Sequence, residues 1–302
     1  MIGVGASASR SRSVKVNGVQ IGYLSWGEGP ALILIPGLGE NPHIFDQLAL
    51  ALGDRFRVIA YARRGTHPSE ARPPYDAATL TGDLVALMDA IGVARAHVAG
   101  WSMGGTEATS LATAFPGRVD RIVYLDSYDL SVPEYAELTA AVPPDVLKVP
   151  AEAFASADAY RSHVIARHFY SVDVAQVDTY LRAQVSPLPD GTVRRSTPPE
   201  VEAALGATIR ADRRRYKEVR APALAIFAGW AARIPGADQG HQDRYVRALE
   251  TFRSAAVGRM RRELTNVDMA TVPGTHKSFF FESHVEVVGA MRRHLGAQSS
   301  DA

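Results

Sequence analysis

The chain has 302 residues, 46% of them apolar and 22% charged, a balance that suits a globular protein with a full core. It contains no cysteine, which excludes disulfides, a thiolate nucleophile and cysteine-held metal. A formal net charge of +1 gives no reason to expect nucleic acid or an acidic membrane as partner.

Residues 1–13 are small and Ser-rich, carry Arg10 and Arg12, and lack the apolar run of a signal peptide. They read as a disordered tail on a cytoplasmic protein. Residues 14–16 and Val19–Trp26 predict two strands joined by Asn17-Gly18, a two-residue hairpin signal. Ala31–Ile35 is a continuous apolar run, the pattern of a strand buried on both faces. It ends in Pro36-Gly37-Leu38-Gly39-Glu40. A helix over 43–52 and a strand over Arg57–Tyr61 come next. After a loop, Asp76 is placed to cap a helix whose apolar positions include Leu80, Leu84, Leu87, Met88 and Ile91.

A short apolar strand over 96–99 then runs into Gly100-Trp101-Ser102-Met103-Gly104, and a helical run follows at once. Strand, turn and helix are the context that a G-x-S-x-G sequence needs to expose a serine hydroxyl on a strained turn. Residues 121–126 form another buried strand, and strands alternating with helices predict a mostly parallel sheet covered on both faces. Residues 130–216 break that rhythm with helical patterns and proline pairs, as a lid over the C-terminal sheet edge would. Alternation resumes with a strand over 222–227, a long Arg-rich helix over 239–264, a strand over Val267–Val272 and a helix over 279–295.

These motifs resemble the α/β-hydrolase fold over nearly the whole chain. The likeness rests on Pro36-Gly37-Leu38-Gly39, the Ser102 turn, Arg63-Arg64-Gly65, and Gly274-Thr275-His276 after the last strand. It implies a central, mostly parallel sheet of about eight strands with helices on both faces. The core would be 14–129 and 217–297, and the helical lid 130–216, inserted after strand six. It also implies the chemistry of a serine esterase or lactonase. Ser102 would be the nucleophile, activated by His276, and the amides of Leu38 and Met103 would form the oxyanion hole. Most relatives carry the acid after strand seven, but that stretch reads Gly229-Trp230-Ala231-Ala232-Arg233, with Ala232 in the expected place. Asp126, after strand six, is the preferred acid, with Asp129 and Asp238 as alternatives.

Within the fold the chain is similar to serine-dependent macrolide esterases and to a macrolactone lactonase. The implied substrate is a large macrolactone such as a 16-membered macrolide antibiotic. Gly37, Trp101, Tyr135 and Phe169 are the candidate substrate contacts. Other lid residues, Val146 and Leu147 among them, could line the same cleft. There is no H-E-x-x-H and no clustered His/Asp spacing, so neither metal nor cofactor is expected. The expected partner is a small-molecule ester or lactone, and the protein a monomer or homodimer. A carbon–carbon hydrolase, lyase or perhydrolase, or a slow-turnover ligand receptor, would keep the same triad.

Overall fold

A computed structural model describes residues 10–142, 154–232, 234 and 236–296. Val146, Leu147 and Arg233 therefore lie outside the described residues, as do 1–9 of the proposed tail.

The strands of the central sheet are β1 (Arg10–Val16), β2 (Val19–Trp26), β3 (Ala31–Ile35), β4 (Arg57–Tyr61), β5 (Ala96–Trp101), β6 (Val119–Leu125), β9 (Ala223–Ala228) and β10 (Val267–Val272). A two-stranded hairpin, β7 (Val185–Pro187) and β8 (Val193–Arg195), lies outside it. The eight strands pair in the order β1-β2-β4-β3-β5-β6-β9-β10. Those from β4 to β10 run parallel, while β1 and β2 fold back antiparallel at one edge. Residues 10–13, expected in the disordered tail, belong to β1. Their backbone pairs with residues 22–25 of β2 although most of their side chains face solvent. Hydrogen bonding to the neighbouring strand orders them where hydrophobic burial does not.

The apolar run of β3 serves both faces, as its composition demands. Leu32 and Leu34 pack with α1 (Asp46–Leu52) and α10 (His284–Gly296), whereas Ile33 and Ile35 pack with α2 (Ala77–Ala90) and α3 (Gly104–Ala114). Asp76 caps α2 through the Thr79 amide. The expected helix over 43–52 begins with a 3₁₀ turn, Pro42–Phe45. The final helix is interrupted at Ser283, so that α9 (Phe279–Glu282) precedes α10.

Between β6 and β9 lie α4 (Glu134–Ala141), α5 (Ala157–His168), α6 (Val174–Ala183), the β7–β8 hairpin and α7 (Pro199–Ala211). Arg214 and Tyr216, assigned above to the lid, are buried, Tyr216 with the core side chains of one sheet face. Tyr216 therefore packs with the sheet rather than with the helices inserted between β6 and β9. After β9 comes α8 (Gln239–Glu263), against which α4 packs through Leu138 and Phe252. Among the described residues no helix is long and apolar enough to cross a membrane.

Candidate active site

Parallel strands end together, and the loops after β3, β5, β6 and β10 meet at one edge of the sheet. Ser102 follows β5 with φ +53, in the left-handed region that side chains other than glycine rarely adopt. Its neighbours must be bare. A Cβ on Gly100 would come within 2.3 Å of the Gly104 carbonyl, and one on Gly104 within 2.1 Å of Ile35 O. The spacing of the G-x-S-x-G turn is therefore dictated by backbone crossing backbone.

Asp126 ends β6, also with positive φ, +41, and is 1% exposed. Its Oδ1 accepts from the Ala228 amide and the Tyr128 hydroxyl, each at 2.9 Å. Its Oδ2 lies 2.6 Å from His276 Nδ1. Burial alone would raise the Asp126 carboxyl. The hydrogen bond and charge of His276, then Arg253 and the Ala228 amide, hold it below the ordinary carboxylate range instead. The imidazole is partly open, and its ring lies 5.4 Å from that of Trp101. Ser102, His276 and Asp126 all line one cleft of about 330 Å³, with Leu38 and Met103 beside them.

The structure separates the acid candidates. Asp129 is ion-paired with Arg259 and accepts from the Arg214 amide. Asp238 caps α8 through the His241 amide. Only Asp126 of the three is hydrogen-bonded to His276, and Ala232 lines the cleft where a carboxylate was sought after strand seven.

The substrate-contact candidates divide. Tyr135 lines the cleft. Phe169 does not: it is wholly buried against Tyr180 and Phe281, where an apolar ring packs the lid onto the core. Trp101 is 1% exposed, and its indole N–H donates to the His276 carbonyl at 3.1 Å, so it supports the histidine loop rather than facing a ligand. Gly37 is not among the residues lining the cleft; a Cβ there would sit 3.1 Å from the Trp101 ring and 3.4 Å from the Ser102 Cβ.

Several site residues carry no local signal in the sequence. Arg214, Arg253, Leu249 and Phe252 line the cleft from segments far from the motifs, and Tyr128 lines it two residues after Asp126. Glu40 ends the loop after β3, but nothing local marks its partners. This buried carboxylate accepts from Tyr180, from Gln184 and from Lys277 Nζ at 2.6 Å. It thereby joins the loop after β3, the lid and the histidine loop. Burial favours the neutral acid, yet Lys277 and the phenol hold Glu40 below its usual value.

His168, at the end of α5, is pushed down to about 3, first by burial and then by the Lys277 charge. In the unfolded chain it regains its ordinary value, 6.5, so between those values the unfolded state binds the extra proton. Its contribution to stability is full above pH 6.5 and is lost as pH falls toward 3. Comparing melting temperatures at pH 7.5 and 5.0, His168→Leu is expected to lose less than wild type does. Equal losses would remove His168 from the acid sensitivity of the fold.

Residues 30–252 match the family model described as alpha/beta hydrolase fold, and the chain belongs to that family. The "Putative carbamate hydrolase RutD" of Caulobacter sp. (strain K31) is 38% identical over 107 residues, 33% of this chain and 40% of that protein. The "3-oxoadipate enol-lactonase 2" of Acinetobacter baylyi is 34% identical over 109 residues, 35% of this chain and 40% of that one. The chain thus spans well under half the length of these curated relatives. Among solved structures, E-2-(acetamidomethylene)succinate hydrolase aligns with TM-score 0.77 at 20% identity, covering 96% of this chain and all of that one. The enol-lactonase from Burkholderia xenovorans LB400 aligns with TM-score 0.63 at 22% identity, over 95% of this chain and all of that one. Both likenesses concern the fold. Among the described residues no group of three or more His, Asp or Glu is placed to hold a metal.

Proposed function

We propose that the protein hydrolyses a carboxylic ester or lactone through an acyl-enzyme. The observation that carries this reading is the 2.6 Å contact of Asp126 with His276, in a cleft that also exposes Ser102 on its strained turn. With its proton on Nδ1, the imidazole presents a basic Nε2 to the Ser102 hydroxyl. Ser102 Oγ attacks the carbonyl carbon as His276 takes the hydroxyl proton. The oxygen that gains negative charge is met by the Leu38 and Met103 amides. Collapse expels the alkoxide, which recovers the proton from His276. From a lactone, that alcohol stays tethered to the acyl group. Water, activated by the same imidazole, then releases the acid and restores Ser102.

The cleft wall is largely apolar, from Leu38, Leu130, Tyr135, Ile209, Leu249 and Phe252, and suits a hydrocarbon acyl or ring portion. Its volume of about 330 Å³ sits at the small end of the roughly 300–1,000 Å³ that ligand pockets occupy. That volume holds a short ester or a small- to medium-ring lactone whole, and the 16-membered macrolide suggested by resemblance would extend out of the cleft mouth. The enol-lactonase relative supports the lactone side of the proposal. The test is covalent labelling of Ser102 by a fluorophosphonate, followed by turnover of aryl esters and of lactones graded in ring size up to a macrolide. Labelling at Ser102 with fastest turnover of the smaller rings is expected. Absence of both labelling and turnover overturns the reading.

A further inference from the structure

We propose that two buried arginines, Arg63 and Arg214, tune the oxyanion hole by gripping the carbonyl side of the two peptide units whose amides form it. A trans peptide is planar, with its C=O and N–H pointing opposite ways. The Leu38 amide shares its plane with the Gly37 carbonyl, and the Met103 amide shares its plane with the Ser102 carbonyl. What holds those two oxygens therefore aims the two N–H groups.

Both are held by guanidinium groups. Arg63 donates from Nη1 to Gly37 O and from Nη2 to Pro36 O, spanning consecutive carbonyls of the loop after β3. Arg214 Nη2 donates to Ser102 O at 3.3 Å and to Ser127 Oγ at 2.8 Å, and the Ser127 hydroxyl donates in turn to Ser102 O. The Gly105 amide adds a third donor to that oxygen at 3.1 Å. Arg63 is 1% and Arg214 3% exposed, so water screens neither charge effectively. A cation on a peptide oxygen draws electrons from the nitrogen and sharpens the N–H as a donor, a cooperative effect of about 10–30% per bond.

The two arginines differ in how their charge is balanced. Arg63 Nε donates to Glu107 Oε1 at 2.7 Å, and the Tyr61 hydroxyl bonds the same carboxylate. Among the described residues the Arg214 guanidinium hydrogen-bonds only to neutral groups: Thr106 Oγ1, Ser127 O, Ser127 Oγ, Tyr216 OH and Ser102 O. Of two nearby carboxylates, Asp129 takes the Arg214 backbone amide and is paired with Arg259, and Asp212 feels the Arg214 charge without a hydrogen bond to its guanidinium. Arg214 also lines the cleft. Among the described residues its charge stands beneath the nucleophile turn without a directly bonded anion, and it reaches the oxyanion of the tetrahedral intermediate through the Ser102–Met103 peptide. Both residues are positioning residues, acting through peptide units rather than on substrate.

This inference rests on the serine-hydrolase reading, so labelling and turnover of the wild type are established first. Arg214→Gln, Arg214→Lys, Arg63→Gln and Arg63→Lys are then compared for kcat, KM, melting temperature and inhibition by phenylboronic acid, whose tetrahedral adduct places an oxygen in the hole. For the Gln variants kcat is expected to fall about 10- to 100-fold, within the range that loss of an oxyanion donor produces. Boronate affinity should fall in parallel and KM stay within about twofold, as for an interaction made only in the transition state. Arg214→Lys should recover part of both losses because it restores the charge. Should Arg63→Gln fail to fold, Arg63→Lys and the Arg214 pair carry the test. Folded variants that keep wild-type kcat and boronate affinity overturn the proposal, as do variants that lose stability and KM together without a boronate effect. A wild type that neither labels nor turns over overturns the hydrolase reading itself.

Discussion

Ser102→Ala is expected to give a folded protein whose ester turnover is reduced by about 10⁴-fold or more, the scale on which nucleophile loss acts in serine hydrolases. The backbone at 102 is already in the left-handed region, and alanine pays the same steric cost there as serine. The turn is imposed by its glycines and by the donors on Ser102 O, which the substitution leaves in place. A melting temperature within a few degrees of wild type should therefore accompany the loss of turnover and of fluorophosphonate labelling. A variant that kept more than about a hundredth of kcat would remove Ser102 from the chemistry.

Asp126→Asn should be nearly as damaging, with kcat lowered about 10⁴-fold while the fold persists. Asparagine tolerates the positive φ at this position almost as well as aspartate does. Its carbonyl oxygen can still accept from Tyr128 and the Ala228 amide. The remaining NH₂ then faces His276 Nδ1 and makes that nitrogen an acceptor. The ring proton moves to Nε2, and the imidazole can no longer take the serine proton. Asp129→Asn should instead act on stability, because Asp129 is buried and ion-paired with Arg259. Since Arg259 keeps a second carboxylate, Glu263, the loss should stay below the ~3–5 kcal/mol that an uncompensated buried charge costs. Asp238→Asn removes an exposed charge while keeping the cap, since asparagine caps as well as aspartate, and should leave kcat unchanged. Side-by-side kinetics on one ester near pH 7.5, with melting curves, separate the three. A larger kcat loss in Asp129→Asn or Asp238→Asn than in Asp126→Asn would refute the assignment.

The parts of the fold that could be read from sequence are those with a local cause. The runs of β3 and β4 have the predicted bounds because each is largely apolar and followed by turn residues, and β10, which carries Asp268 and Thr271, has them because Pro273-Gly274 ends it. The Ser102 turn was legible because two backbone collisions force glycine at fixed offsets. Asp126 could be singled out because the stretch after β9 offered Ala232 instead of a carboxylate. What escaped depends on partners distant in sequence. The β1 extension is ordered by pairing with β2 rather than by its own polar residues. The burial of Arg214 is not legible because the residue is polar, and the groups that make its burial tolerable, from Ser102, Thr106, Ser127 and Tyr216, are scattered along the sequence. Phe169 and Trp101 looked like ligand contacts because aromatic side chains suit a cleft as well as a core. Their rings are committed to Phe281 and to the His276 loop.

The Glu40 carboxylate bears on how this protein can exchange parts with its relatives. Insertions between two sheet strands are commonly treated as cassettes, replaceable without touching the body that carries them. Here the cassette supplies Tyr180 and Gln184 to an anion rooted in the loop after β3, whose cation, Lys277, is the residue next to His276. A graft lacking those two hydrogen bonds would leave the Glu40–Lys277 pair to be rehydrated, one residue from the imidazole. Inheritance of a new specificity through this insertion is therefore coupled to positions 40 and 277. A chimera that carries all four residues together should keep its histidine loop in register.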